Sequence, residues 1–186
     1  MNMKVMETER LLIRPFTLDD VEDVHREVYS SAEVWGPRTR EQVAEGVQLA
    51  VLMGAPFAKR AVVLRDGGMF VGQIRLDAYH NYFYRWEEEP DPPFNPVEVE
   101  LSFAFGKQFW GKGYAFEASQ AMIHQAFEEL KLPRLLGGTG TDNQRSINLH
   151  RRLGYRIFEA FNSEGLPSGD GIVTVLNNNA TQKHGL

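Results

Sequence analysis

The chain has 186 residues, 42% of them hydrophobic and 24% charged, a net charge of -5 and no cysteine, which fits one globular unit able to bury its own core. The missing cysteine excludes a disulfide framework, a thiolate zinc site and a thiol nucleophile, and the acidic balance argues against nonspecific nucleic-acid binding. No run approaches the ~20 apolar residues of a bilayer span, and charges interrupt the opening residues, so no membrane partner is expected and the cytoplasm is the expected compartment.

In chain order, Leu11-Leu12-Ile13 predicts a strand over 8–14 that stops at Pro15. Thr17 reads as a helix N-cap with Asp20 completing a capping box, and Leu18, Val21, Val24 and Val28 carry that helix to about Ser30. A second helix is predicted from Thr39 to Met53, with Val43, Val47, Ala50 and Val51 facing inward. Ala61 to Leu64 reads as a strand, Asp66-Gly67-Gly68 as a hairpin turn, and Met69 to Ala78 as the return strand, where Phe70, Gly72, Ile74 and Leu76 alternate with polar positions. The stretch 79–96 is rich in aromatics and prolines and predicts irregular structure.

Val97 to Phe105 reads as a strand, and Ala115, Ala118, Met122, Ala126 and Leu130 form the apolar face of a helix from about Gly113 to Glu129. Leu135-Leu136 leads a strand interrupted by Gly137, Gly138 and Gly140. Asn143 caps a helix that runs to Leu153 and ends at Gly154. Arg156 to Phe161 and Ile172 to Leu176 read as a closing strand pair across a turn-rich 163–171. The expectation is a mixed α/β domain built on a single sheet over residues 1–176, with a polar tail at 177–186.

The segment Gln108-Phe109-Trp110-Gly111-Lys112-Gly113-Tyr114-Ala115 follows a strand and opens a helix. Glycines let the backbone approach a ligand closely, while the first helical amides are unpaired and sit at the positive end of the helix dipole. Such a turn suits a pyrophosphate. It is not a P-loop, because no Gly-Lys-Ser/Thr follows, and it is not a dinucleotide fingerprint, because Phe116 stands where a third glycine belongs. From the loop alone, a turn that merely needs glycine is an equal reading.

The whole string resembles the coenzyme A pyrophosphate loop of the GNAT acetyltransferases, and its flanks resemble the branch containing the ribosomal-protein N-terminal acetyltransferases. The resemblance covers about Thr8 to Leu176. It rests on Glu9-Arg10-Leu11-Leu12-Ile13-Arg14-Pro15, Glu100-Leu101-Ser102-Phe103, Trp110 to Ala115, Asn143-Gln144-Arg145-Ser146 and Leu153-Gly154-Tyr155. It implies a mostly antiparallel sheet of about 6–7 strands with splayed central strands and about four helices. It further implies acetyl-CoA as co-substrate, no metal, and an amine acceptor, with a homodimer left open. Backbone groups of Phe103 and Phe105 would then pair with the pantetheine arm. The segment Gln108, Trp110, Gly111, Lys112, Gly113, Tyr114 and Ala115 would hold the pyrophosphate, and Asn143 and Ser146 would meet the cofactor from the other side. Asn143 also reads as a plain helix cap.

Amide formation needs a neutral amine and a protonated thiol leaving group, so a proton must be taken and one given. The resemblance puts the general base at Glu100, with Glu98, on the same face by strand alternation, as its backup and an acceptor contact. Each also reads as a solvent-facing or ion-paired carboxylate. His150 stands where many GNAT enzymes carry a proton-donating tyrosine. It either donates to the departing thiolate or is a surface helix histidine. Neighbouring Asn148 has no titratable group. A backbone amide near Phe103 or Phe105 would hold the oxyanion.

Tyr82 and Tyr84 in the aromatic stretch, followed by Glu87, Glu88, Glu89 and Asp91, and Trp35 between the first two helices, are candidate acceptor contacts. Packing on the sheet or core explains them equally. The three glycines near 138 either widen the gap beside the cofactor or only loosen the strand. Lys107, Lys112, Arg145, Arg151 and Arg152 cluster in sequence near the candidate cofactor site, and none is singled out for the 3′-phosphate. Two readings from different classes remain. One is an N-acetyltransferase acting by direct attack on a protein α-amine or a small amine. The other is an inactive acyl-CoA-binding module. A transferase preferring longer acyl chains is a variant of the first.

Overall fold

The computed structural model describes residues 4–30, 36–53, 57–80, 97–161 and 167–178, with the side chains of 79–80, 159–161 and 167–170 set aside. The strands are β1 (Met6–Glu7), β2 (Leu11–Pro15), β3 (Arg60–Leu64), β4 (Phe70–His80), β5 (Val97–Phe105), β6 (Arg134–Gly140), β7 (Arg156–Phe161) and β8 (Pro167–Asn177). The helices are α1 (Val21–Val24), α2 (Arg40–Met53), α3 (Tyr114–His124) and α4 (Gln144–Arg152). The strands make one open, mixed sheet in the order β1-β2-β3-β4-β5-β6-β8-β7. By contact the chain forms two units, Met1–Leu76 with Ser102–Met122 and Asp77–Leu101 with Ile123–Leu186, so β4 and β5 run through both.

In the first unit, β2 pairs antiparallel with β3 from Leu11 opposite Leu64 to Pro15 opposite Arg60. The β3–β4 hairpin closes with Leu64 N donating to Met69 O at 2.8 Å, and Gly67 and Gly68 take φ of 76° and 66°. The capping expectation holds: Asp20 Oδ2 accepts from Thr17 N at 2.7 Å, while Arg14 clamps the same carboxylate at 2.7 and 2.8 Å. Burial would raise the Asp20 carboxyl, but the Arg14 and Thr17 hydrogen bonds outweigh it and hold it below the ordinary range. Val24, Val28, Val43 and Val47 pack on Ala61, Val63 and Phe70.

Three expectations for this unit need correction. Val51 of α2 is 39% exposed, because it lies roughly 80° round the helix from Val43 and falls off the buried stripe. On β4, Val71 and Gln73 are buried along with Phe70, Ile74 and Leu76, since an interior strand has both faces covered. The short β1, pairing Met6 with Ile13, helps bring the sheet to eight strands instead of 6–7.

In the second unit, β6 and β8 form an antiparallel ladder from Arg134 opposite Asn177 to Gly140 opposite Gly171. β5 joins β6 in parallel at Glu100 opposite Leu136, and among the described residues that is their one pairing. So brief a contact beside so long a ladder is what diverging strands leave. β8 begins at Pro167, five residues before its expected start at Ile172, because Pro167 pairs with Phe161 of β7 and Gly171 with Gly140 of β6, which outweighs the turn-forming composition of 167–171. α4 starts as expected: Asn143 Oδ1 accepts from Ser146 N at 3.2 Å, and Gly154 closes it at φ 92°. Among the described residues no helix is long and apolar enough to cross a membrane.

Candidate active site

In the first unit, the segment between β5 and α3 is an arch exposed at Gly111 and Lys112. Gly111 and Gly113 have φ of 74° and 83°, a region that favours glycine. Among the described residues nothing lies within 4 Å of where a Gly111 Cβ would stand, so the arch leaves room for a ligand at that residue. Trp110 Nε1 donates to Phe105 O at 2.7 Å and ties the arch to the end of β5. The Lys112 ammonium lies over the Phe109 ring, 5.5 Å from its centroid. With the N-terminus of α3 behind it, this backbone fits a diphosphate.

Gln108 behaves differently from its expected ligand role. Its Nε2 donates to Glu27 Oε2 at 2.8 Å, and Arg26 Nε donates to Glu27 Oε1 at 2.8 Å. Glu27 sits in a π-helical turn, His25–Tyr29, that continues α1, and is buried. The Gln108 side chain therefore anchors the arch's entry. Phe103 and Phe105 rings lie 6.4 Å apart on β5. A Cβ on Gly72 would meet Ala104 O at 2.5 Å and the Phe105 ring at 2.7 Å, so glycine is required there for close strand approach.

A second set of contacts braces the arch from the chain's beginning. Arg10 Nε donates to Glu117 Oε2 at 2.7 Å, Arg10 N to Glu117 Oε1 at 2.8 Å and Thr8 Oγ1 to the same oxygen at 2.6 Å. Arg10 Nη1 donates to Lys112 O at 2.9 Å, and its guanidinium stacks 4.8 Å from the Tyr114 ring centroid. Burial works to raise the Glu117 carboxyl, but the bonds from Thr8 and Arg10 outweigh it and keep it below the ordinary range.

In the second unit, paired residues on neighbouring strands share a face, so Glu100, Leu136 and Val175 lie on one side of the sheet. Gly138 falls on that side too, and a Cβ there would lie 3.5 Å from Glu100 Oε1. Glu100 is half-buried. Glu98 is buried and bound by Arg134 Nε at 3.0 and 3.1 Å and by Arg134 Nη2. That ion pair already occupies the Glu98 carboxylate, which weighs against it as the backup base.

The opposite face carries Gly137 and Thr174, and His150 of α4 lies against it. A Cβ on Gly137 would come within 3.0 Å of His150 Cε1 and Nε2 and 2.6 Å of Thr174 Oγ1. His150 is 2% exposed, and burial lowers its pKa from 6.5 to about 4, so the ring is neutral at pH 7. Thr174 Oγ1 lies 3.3 Å from Gly137 O and 3.4 Å from His150 Nδ1, so the hydroxyl links the strand to the ring. Far from being a surface histidine, His150 is a core residue on the face opposite Glu100.

Tyr155 packs beside it, ring centroids 5.1 Å apart, with a buried hydroxyl that has no hydrogen-bond partner among the described residues. Burial first, and the Glu100 charge second, push that hydroxyl well above its ordinary 10. Asn143 serves as helix cap, and Ser146 supplies the amide that it accepts from. Trp35, Tyr82 and Tyr84 lie outside the described residues, as does most of the aromatic and acidic stretch that follows. Sequence reasoning missed the Arg10–Glu117 clamp, whose partners are 107 residues apart, and the Glu27–Gln108 pair, 81 apart. Neither leaves a local pattern.

Residues 10–156 match the family model of the acetyltransferase (GNAT) domain. An uncharacterized N-acetyltransferase, YnaD, of Bacillus subtilis (strain 168) is 29% identical over 168 residues, 88% of each chain. The crystal structure of a GNAT-family acetyltransferase from Bacillus anthracis superposes with a TM-score of 0.72 at 27% identity, covering 94% of this chain and 99% of that one. RimL, a ribosomal L7/L12 alpha-N-protein acetyltransferase solved in complex with coenzyme A, shares the fold with a TM-score of 0.69 at 14% identity over 95% and 99% of the two chains.

Proposed function

Because the chain belongs to the GNAT acetyltransferase family, we propose that it moves an acetyl group from acetyl-CoA to a primary amine, a protein α-amine or a small-molecule amine, by direct attack in a ternary complex. The observation that carries this reading is the arch at 110–115, inside the matched region, with two left-handed glycines and open space ahead of α3. Its amides suit the pyrophosphate, and the coenzyme A bound by a protein of the same fold supports that assignment. Backbone groups of Phe103 and Phe105, together with Asn143 and Ser146, are assigned to the pantetheine arm. Acetyl-CoA supplies the acyl group as an activated thioester. The absence of cysteine removes the commonest acyl-enzyme nucleophile and supports direct attack.

Glu100 is assigned as the general base. Its half-buried carboxylate, beside the side-chain-free Gly138, supports that role. As nitrogen bonds to the acyl carbon and the carbon–sulfur bond breaks, Glu100 takes the amine proton and passes it on to solvent, from which the departing thiolate takes one, so the amide and the free thiol form with no net change in protons. A neutral His150 is not an imidazolium donor at pH 7, and its contacts support a role in fixing the α4 face of the sheet.

Calorimetric titration with acetyl-CoA tests the reading. Saturable 1:1 binding that Gly111→Asp abolishes while staying folded is the expected result, followed by acyl transfer in an amine screen. Glu100→Gln should then keep coenzyme affinity and lose transfer by ~100-fold or more. A folded native protein that does not bind acetyl-CoA overturns the proposal.

A further inference from the structure

The arch at 110–115 has a liability built into it: a carboxylate, Glu117, stands in the first turn of α3, where an incoming pyrophosphate would be repelled. The Lys112 carbonyl in the middle of the arch is a second group whose negative end an anion would avoid. Both are engaged by one side chain. Arg10 gives Nε to Glu117 at 2.7 Å and Nη1 to Lys112 O at 2.9 Å, while its Nη2 stands 3.2 Å from where a Cβ on Gly113 would be. The fork geometry of a guanidinium allows both bonds at once, which a lysine ammonium on its single stem does not reproduce.

We propose that Arg10 is a positioning residue of the coenzyme site, which holds the Lys112 carbonyl away from the anion and cancels the Glu117 charge so that the arch meets the pyrophosphate with its amides. This rests on the reading of the arch as the pyrophosphate cradle. Thr8, donating to Glu117 Oε1 at 2.6 Å, and the Arg10 backbone amide at 2.8 Å hold the carboxylate in place for the clamp. The pair is partly exposed, Arg10 45% and Glu117 15% by side chain, so its contribution to fold stability is small, and its effect is expected in ligand affinity.

The test is calorimetric titration of the full chain with coenzyme A, paired with thermal melts, for native protein, Arg10→Ala, Arg10→Lys and the double variant Arg10→Ala/Glu117→Ala. Arg10→Ala should weaken binding by about tenfold or more, the factor that ~1.4 kcal/mol of uncompensated repulsion gives. Arg10→Lys, which keeps the charge but not the fork, should fall between the two. The double variant should recover at least about threefold of the loss, because the stranded carboxylate goes with its partner. A merely structural brace predicts the reverse, a further loss as Thr8 and the Arg10 amide lose their acceptor. Native affinity in Arg10→Ala, or a double variant weaker than the single, overturns the proposal. Native protein that binds no coenzyme A instead overturns the reading of the arch, and does so before any variant is made. Should Arg10→Ala fail to fold, Arg10→Lys and Glu117→Ala decide the same question, since the clamp requires Arg10→Lys to bind more weakly than native protein.

Discussion

Two glycine pairs invite comparison. Gly111 and Gly113 occupy the arch before α3, with φ of 74° and 83°; among the described residues the space beside Gly111 is open, while the Arg10 guanidinium stands beside Gly113. Gly137 and Gly138 lie in β6, where ordinary strand conformation would accept any residue. In the arch, glycine answers a demand of the backbone. In β6, the demand at Gly137 is spatial, because the His150 ring and Thr174 hydroxyl fill the place of its side chain. Gly138, facing Glu100 from the other side, is under neither constraint. One residue type thus marks a turn that demands left-handed backbone in one unit and a packing contact in the other.

The largest effect should come from breaking the β6 side with acid. Burial holds folded His150 near pKa 4, against 6.5 when free, so below about pH 6.5 the unfolded chain binds a proton that the folded chain refuses. Stability should fall as pH drops from 6.5 toward 4, by on the order of 3 kcal/mol in all. Urea unfolding across that window checks it, and His150→Gln should flatten the slope. Asp20 and Glu117, held below the ordinary carboxylate range, lose their contribution only at lower pH.

Next is the neighbour test within β6. Gly137→Ala should cost about 2 kcal/mol through overpacking against Thr174 and His150. Gly138→Ala, whose new carbon would meet Glu100 Oε1 at an ordinary 3.5 Å, should change stability by no more than about 0.5 kcal/mol. Equal effects by denaturant unfolding would dissolve the distinction. In the arch, Gly111→Ala should cost about 1 kcal/mol from backbone strain, with no clash. The smallest expected change is Tyr155→Phe, which removes a buried hydroxyl without a partner among the described residues and should leave stability unchanged or raise it by up to about 1 kcal/mol. A clear destabilisation there would reveal a bonding role for that oxygen.

Much of this was legible in the chain itself. The helix caps at Thr17 and Asn143, the Gly67-Gly68 turn and the bounds of β5 follow from local chemistry, since each needs a neighbour no more than a few residues away. The strand–glycine–helix sequence at 105–115 identified the arch for the same reason. Where the expectations strayed, a distant partner decided. The length of β8 depends on β6 and β7 on either side of it, and burial of Gln73 on the Tyr29 hydroxyl 44 residues away. Glu98 and Glu100 are indistinguishable by alternation, yet Arg134, 36 residues from Glu98, ties up one and leaves the other beside a glycine. His150 is one more polar residue on a helix until tertiary packing buries its ring against Gly137 and sets its charge. Backbone conformation is a short-range property and was written in the sequence. Charge state, pairing and the room around a side chain are set by groups far along the chain, and only the tertiary structure decided them.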